Sequence, residues 1–480
     1  MSDKIGLKTK FSYAVGMFGA NFGCAPIYIF LMFYFTDVAG LPGAFVGTMF
    51  LVARLIDAVT DPMMGLIVDN TRSRFGKFKP WILIGTVLNA LFILALFKSH
   101  VFSGTSLYVY STVIYILWGV SYTIMDIPIW SMVPALSKSR PEREKLVVWA
   151  RLSASIVWWA VGAYGLATIK YMGGSDPSNG FFNAALGVCA IFVAGAIVLF
   201  FNVKEKVQVG TDLSHTSTDP ALFNLEEKVE EVSPTKAEKI TVKDMLHIVS
   251  SNDQLKVLIG CILAFNIANM MIGGFGLYYF KYVIGQENMF SQYMMAAGLA
   301  EISAIFLLPF LANRLPREWM WLIACALPAL SCLVLYLAGI ISPEMAIFVS
   351  ISGAIVKFGV GMFNVLSTVM LADVVDYGEY ISGKRSESII FSAQTMLIKL
   401  AGALSAFITG AGLSLVGYVA NQEQTPSTIV GIKILMLGVP TALVLISAFI
   451  YKKFYKLHHG FRKEDFEGKE DDLGGAPAVN

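Results

Sequence analysis

This chain is poor in charge. Asp, Glu, Lys and Arg make up only 15% of its 480 residues, against about 25% in an ordinary soluble domain. With 56% of residues hydrophobic, that shortage excludes a soluble globular protein. Net charge is also small: 36 Lys and Arg stand against 34 Asp and Glu, a formal +2. No global field therefore exists to hold nucleic acid or to select an acidic partner. The five cysteines (Cys24, Cys189, Cys261, Cys325 and Cys332) lie inside apolar segments at no metal-ligand spacing, and their odd number argues against a disulfide framework. No Walker A loop, HExxH helix or nucleophile elbow occurs, and no polar stretch is long enough to house a catalytic domain. Neither an enzyme nor a resident cofactor is expected.

What is present is a series of apolar runs, each long enough to cross about 30 Å of hydrocarbon with roughly 20 residues. They are expected near residues 11–38, 44–69, 80–98, 107–135, 146–170 and 181–203, then 253–284, 289–313, 318–340, 343–374, 388–419 and 426–453. The first is too long for a secretory h-region and has no convincing cleavage site, so it is expected to stay as a span. Backbone groups in lipid must be satisfied within each segment, and barrel strands would read as short alternating runs, so the predicted fold is all-α. Residues 204–252, rich in Glu, Lys, Ser, Thr and Asp, read as a linker. It would join a six-helix bundle over 1–203 to a second over 253–453, with a tail over 454–480.

Basic residues near span ends set orientation. Lys4, Lys8 and Lys10 precede the first span; Arg72, Arg74, Lys77 and Lys79 follow the second; Lys138, Arg140, Arg143 and Lys145 follow the fourth. Arg314 and Arg317, Lys384 and Arg385, and Lys452, Lys453 and Lys456 continue the alternation. Both termini and the linker are expected on the cytoplasmic side of a multi-pass bacterial inner-membrane protein. Two six-helix bundles joined in this way suit a carrier whose site lies at the midplane between them.

A charge within a span costs at least about 2.5 kcal/mol unless it finds a partner or a water-filled cavity. The run VARLIDAVTDPMMG in the second span carries Arg54, Asp57 and Asp61 on one helix face with Thr60 beside them. In the fourth span, SYTIMDIPIW sets Tyr122, Asp126 and Trp130 in an i, i+4, i+8 row next to Thr123. An aromatic face can pack on the apolar side of a pyranose while a carboxylate accepts from neighbouring hydroxyls. Arg151 in the fifth span is expected to pair with Asp126 and to donate to the same ligand, and the eleventh span brings Gln394, Thr395 and Lys399. Asp57, Asp61, Thr60 and Thr123 form an expected oxygen cage for Na+, Li+ or a proton, with Asp57 and Asp61 as the metal-ligating carboxylates. The bland alternative is an internal salt-bridge network, for example Arg54 with Asp57. Lys281, Glu301 and Lys357 stay outside the expected site: Lys281 can snorkel, and the other two have no nameable partner. Asp69, Arg72, Arg74 and Lys77, like Arg143 with Glu144, lie at cytoplasmic helix ends where gate or loop-locking pairs are expected.

The runs DPMMGLIVDNTRSRFGKFKPW (Asp61 to Trp81), TIMDIP and DVVDYGEY (Asp373 to Tyr380) resemble the glycoside-pentoside-hexuronide:cation symporters, a branch of the major facilitator superfamily. The likeness spans nearly the whole chain and is greatest to the bacterial melibiose carrier. The resemblance implies the two-bundle fold and symport of a glycoside with Na+, Li+ or H+ by alternating access. It places the cation site on Asp57, Thr60, Asp61 and Thr123. The sugar site falls on Tyr122, Asp126, Trp130, Arg151 and Thr395, with Lys399 between the two. Arg54, Arg143 and Gln394 are expected in coupling or gating. The melibiose carriers have Asn at Thr60, Lys-Asp at Ala20-Asn21, and Trp at Asn364, so Asn21 and Asn364 mark where the sugar differs and melibiose itself is not the expected cargo.

The expected function is import of a melibiose-like neutral di- or oligosaccharide. A hexuronide or other anionic sugar is the alternative, and a lysolipid carrier or a membrane enzyme or sensor are more distant ones. The expected partners are the sugar, the co-transported cation and the bilayer, with the carrier acting as a monomer.

Overall fold

The structure is a computed structural model that describes residues 4–137, 139–205, 252–312, 314–341, 346–382 and 387–457. The expected linker and tail lie almost wholly outside the described residues. Among those described, 12 helices are long and apolar enough to cross a membrane. The first six are α1 (Leu7–Val38), α2 (Gly43–Asp69), α3 (Lys79–Leu96), α4 (Gly104–Leu136), α5 (Arg140–Gly173) and α6 (Pro177–Asn202). The second six are α7 (Asp253–Val283), α8 (Met289–Ala312), α9 (Arg317–Ile341), α10 (Ala346–Ser382), α11 (Glu387–Leu415) and α12 (Pro426–Phe454). The apolar runs dictate these helices, and polar caps set where several begin. Asp176 accepts from the Ser178 amide (2.9 Å) and Asn252 from the Leu255 amide (2.9 Å), while Thr425 accepts from the Thr428 amide (3.2 Å). Pro177 and Pro426 stand in the first turn, where no amide hydrogen is needed.

Odd-numbered helices start, and even-numbered ones end, on the face that carries the two ends of the linker. At this linker face the ion pairs between described residues stay within one half. Lys10 meets Glu142 (2.6 Å) and Lys77 meets Asp69 (2.8 Å); Arg317 meets Asp373 (2.6 Å) and Lys456 meets Asp253 (3.8 Å). Glu142 also accepts from Lys145 (2.9 Å) and the Ile5 amide (3.2 Å). The Lys10 and Lys145 ammonium groups hold its carboxyl well below the usual carboxylate range, at about 2. The Lys77–Asp69 pair therefore locks a loop within the first half and does not gate between halves.

The far face is different, because there the halves are joined. One apolar core combines the first half with second-half residues near that face, among them Met271, Phe275, Tyr278, Phe290 and Tyr293. A second core, around Leu258, Trp321, Phe363 and Tyr451, lies wholly in the second half. Helices α2 and α11 approach closely through small residues: a Cβ on Gly47 would lie 3.0 Å from the carbonyls of Ala406 and Phe407, and one on Gly410 would collide with Gly43. Between α5 and α8, Trp159 donates to the Met295 carbonyl (3.1 Å) and Lys170 pairs with Glu287 (2.7 Å).

The strongest polar join is at the far end of α1. Its last turn, Tyr34–Val38, is π-helical and reads YFTDV. The last turn of α7, Tyr279–Val283, is also π-helical and reads YFKYV, a repeat between the halves. Gly40 and Gly285, with φ of 78° and 80°, follow at equivalent places where other residues would be strained. The side chain of Asp37, 1% exposed, accepts from Thr36 (2.8 Å), Lys281 (2.8 Å), Tyr418 (2.7 Å) and, in a short bond, Tyr282. Burial and the neighbouring Asp37 push the Tyr418 hydroxyl above its ordinary range. Lys281 thus does not snorkel to the interface: it donates across the halves to a carboxylate that spacing within one span could not pair with it.

Asp37→Ala strips one buried group of its charge and leaves an ammonium and two hydroxyls without their acceptor. Such a loss typically costs about 3–5 kcal/mol, here taken from the state closed at the far face. Faster amide exchange in residues 274–284 and 413–421 of the variant is expected by mass spectrometry. Exchange identical to wild type would show that Asp37 does not hold the halves together.

Candidate functional site

Midway along α2, Arg54 donates to Asp57 (2.7 Å), and both side chains are largely buried. The guanidinium also lies 5.3 Å above the Tyr28 ring of α1. Asp57 faces α4, where a Cβ on Gly119 would stand 3.2 Å from its carboxylate. One turn on, Asp61 accepts from Thr123 of α4 (2.9 Å) and forms a short ion pair with Lys399 of α11. This pair joins the two halves, and its groups keep some access to solvent, with 23% of the Asp61 side chain and 42% of that of Lys399 exposed. The Thr60 hydroxyl turns back to the Asp57 carbonyl (3.4 Å), as helix hydroxyls do when no better acceptor is in reach.

The oxygen atoms expected to form one cage are therefore divided. Asp61 and Thr123 are together, Asp57 is held by Arg54, and Thr60 is turned away. Each carboxylate already has a protein cation. Arg54 belongs to the same helix as Asp57, whereas Lys399 belongs to the opposite half.

On α4 the aromatic row continues in both directions. Phe50 stacks on Tyr115 (4.5 Å), Tyr115 on Trp118 (5.5 Å) and Trp118 on Tyr122 (5.8 Å). Tyr122 donates to Asp126 (3.3 Å). Arg151 lies 5.2 Å above the Trp130 ring and is exposed. The expected Arg151–Asp126 pair is not among the ion pairs of the described residues; a guanidinium gains by stacking on indole while keeping its donors in water. Asn21 bonds its own helix through the Met17 carbonyl (2.8 Å) and accepts from Trp158 (3.1 Å).

In the second half, Asn364 is exposed on α10 and Gln394 is half-buried on α11. Neither has a hydrogen bond to the first-half residues. Thr395 sits on α11, but its side chain lies outside the described residues, as does that of Glu144. Arg143, in the first turn of α5 at the linker face, is remote from the mid-membrane cluster.

Two aromatic residues of this cluster were not among those expected. Tyr28, 49% exposed, packs against Trp118 (6.2 Å) and Trp158 (5.8 Å), and Trp158 is 36% exposed. Tyr28 is seven residues from Asn21, and Trp158 is seven from Arg151, so each shares a helix face with an expected residue. That spacing was the available signal. Exposed polar and aromatic side chains in mid-span, on facing surfaces of two halves that are joined at the far face and, in mid-membrane, by the Asp61–Lys399 pair, outline a cleft that among the described residues opens toward the linker face. An apolar cavity of about 260 Å³ lies elsewhere, between α1, α3, α5 and α6, lined by Phe22, Phe30, Phe97, Tyr164 and Phe181. It has no charged side chain, and its hydroxyls are those of Tyr164 and Thr168 alone, so it lacks the convergent polar groups that would orient a sugar.

Comparison with known proteins bears on this arrangement. The isoprimeverose transporter of Lactiplantibacillus pentosus is 29% identical over 451 residues, covering 93% of this chain and 88% of that protein. The uncharacterized symporter YjmB of Bacillus subtilis (strain 168) is 28% identical over 468 residues, covering 95% and 93%. The crystal structure of nucleoside transporter NupG shares the fold with a TM-score of 0.63 at 13% identity, covering 94% of this chain and all of that one. A model of the family described as MFS/sugar transport protein matches residues 12–232 and 220–459. With twelve spans in two halves that meet over a polar mid-membrane cleft, this chain belongs to the MFS/sugar transport protein family and is a multi-pass membrane transporter, not an enzyme.

Proposed function

We propose that this protein imports a glycoside, a neutral di- or oligosaccharide, in symport with a monovalent cation across a bacterial inner membrane, the linker face being cytoplasmic. One observation carries the reading: Asp61 is neutralised by Lys399, an ammonium from the other half, inside the cleft. A mid-membrane carboxylate needs a cation, a proton, hydrogen-bond donors or a hydrated cavity in every state. An entering Na+, Li+ or proton takes the place of the ammonium at Asp61, with Thr123 supplying an oxygen and Asp57 one helical turn away. Exchange of Lys399 for the cation loosens a bond between the halves, so cation binding and the relative position of the halves are linked.

The sugar grip is the Tyr122, Asp126, Trp130 and Arg151 group. Asp126 accepts from vicinal hydroxyls, Arg151 donates, and Trp130 offers its free face to a pyranose. Tyr28 and Trp158 wall the same cleft, and Asn21, Asn364 and Gln394 border it. The positive residues gathered at the linker face support its cytoplasmic placement, and a relative that carries the glycoside isoprimeverose supports the cargo class. An acidic sugar is the second reading, favoured by the exposed Arg151 with no acidic partner among the described residues.

Asp61→Cys is expected to abolish cation-driven accumulation in vesicles while retaining sugar binding; accumulation at the wild-type level would reject the cation assignment. For the sugar grip, Asp126→Ala or Arg151→Ala should weaken sugar affinity by about tenfold or more, the usual scale for a lost charge-assisted hydrogen bond, with cation affinity little changed. Calorimetry on the purified protein measures both, and sugar affinity at the wild-type level would refute the grip. Symport further requires that Na+ or Li+ and sugar each strengthen the other's thermal stabilisation of the protein. A panel of neutral glycosides and their uronides decides between the two cargo classes, and merely additive stabilisation by sugar and cation argues against symport.

A further inference from the structure

Glu301 and Lys357 form an ion pair at 3.5 Å in the middle of α8 and α10, with 32% and 27% of their side chains exposed. It is looser than the 2.6–2.8 Å pairs of Lys10, Arg54 and Lys281. Its surroundings place it in the cleft and not against lipid. On α8 the lipid-facing row is Leu299, Phe306 and Phe310, all exposed, whereas Glu301 shares its side of the helix with Ala297, Ala304 and Leu308, all buried. Met294 and Gly298, seven and three residues before Glu301, abut Gly162 and Trp159 of α5. Glu301 is therefore the next residue on the surface that faces the first half, one turn inside the seal. Lys357 lies seven residues from Asn364 and eleven from Thr368, so the three share one face of α10, and the latter two are exposed.

This pair sits at a different depth from the proposed sugar grip. At 1.5 Å per residue, Glu301 and Lys357 lie roughly 17 Å along their helices from the far-face ends, whereas Asp126 and Arg151 lie roughly 33 Å along theirs. This difference of roughly 15 Å is measured along the helix backbones; side chains reaching in from both ends narrow it to more than one sugar ring spans and within reach of two or more linked rings. A carboxylate and an ammonium held side by side, charge-balanced and partly hydrated, suit a neutral polyol: the carboxylate accepts from two hydroxyls and the ammonium donates.

We infer that Glu301 and Lys357 form a second sugar subsite at the apex of the cleft, which binds the distal ring of a di- or oligosaccharide whose first ring occupies the Asp126 grip. The inference rests on the proposed transport function and assigns its cargo class. The second-half pair selects for chain length, and the first-half grip selects the ring.

The test uses the purified full-length protein, with Glu301→Gln, Lys357→Met and the double variant, which removes both charges together and leaves no lone buried ion. Binding is measured for methyl glucoside, galactoside and xyloside against maltose, melibiose, lactose, cellobiose and xylobiose. Wild type is expected to prefer a disaccharide over the methyl glycoside of the same ring by about tenfold or more. The variants should lose that preference while their affinity for methyl glycosides and their cation-linked thermal stabilisation stay within about twofold of wild type, less than the free energy of one hydrogen bond. A preserved preference in the double variant, or equal wild-type affinity for methyl glycosides and disaccharides, would overturn the second subsite and leave the transport function standing. Binding of no sugar in the panel would overturn the neutral-glycoside reading on which the subsite rests, and the subsite with it.

Discussion

A carboxylate in the middle of a bilayer cannot be left alone, and the two on α2 meet this requirement in opposite ways. Asp57 takes its counter-charge from Arg54, three residues away on the same helix. That pair moves as a unit and holds in any arrangement of the halves. Asp61 takes its counter-charge from Lys399, 338 residues away on the opposite half. Its compensation depends on where the halves stand, and the stand of the halves depends on what compensates it. A cost of a few kcal/mol for an uncompensated mid-membrane charge is comparable to the difference between two conformations of a carrier, so this one pair is enough to link charge to shape.

The far-face join has to be of matching strength. Asp37 gathers one lysine, two tyrosines of the second half and its neighbour Thr36, while Gly43, Gly47 and Gly410 bring α2 and α11 into backbone contact. Small-residue seams gain mostly from dispersion, which falls off within an ångström of separation, and the Asp37 bonds are equally short-ranged. Both are lost together when the halves part, which makes the join two-state. The repeat of YFTDV in YFKYV puts Asp37 and its partners Lys281 and Tyr282 at equivalent turns of α1 and α7. The carboxylate of one half thus meets the cation of the other where these two equivalent turns come together.

Much of the fold was legible because hydropathy counts residues against a fixed thickness: the expected span 44–69 is Gly43–Asp69, and 426–453 is Pro426–Phe454. The tenth span was read as ending at 374, whereas α10 runs on to Ser382. Its acidic end is tied at Asp373 to Arg317 of α9, a partner 56 residues away. The site was legible in its helix faces and not in its pairings. Offsets of three and four residues set Asp57 beside Asp61 and Tyr122 beside Asp126, because those distances are fixed by one helix. Whether Arg151 meets Asp126 or Trp130, and whether Lys281 snorkels or meets Asp37, depends on how separate helices are packed, which no local spacing encodes. Asp37 escaped notice for a related reason: at a span end a charge is cheap, and only the second half makes it costly to expose.

Helix α4 ties the two proposed binding events together. Thr123, which donates to Asp61, follows Tyr122, which donates to Asp126, so adjacent residues of one rigid helix touch the proposed cation and sugar groups. A sugar that draws Asp126 and Tyr122 toward itself must move Thr123 relative to Asp61, and a cation that tightens Thr123 on Asp61 must fix the register of Tyr122. No long route between the sites is needed. The same neighbourhood accounts for the stacked row from Phe50 through Tyr115 and Trp118 to Tyr122. Aromatic stacking along Tyr115, Trp118 and Tyr122, joined from α2 by Phe50, resists bending of α4 beside the two residues that touch the proposed cation and sugar groups.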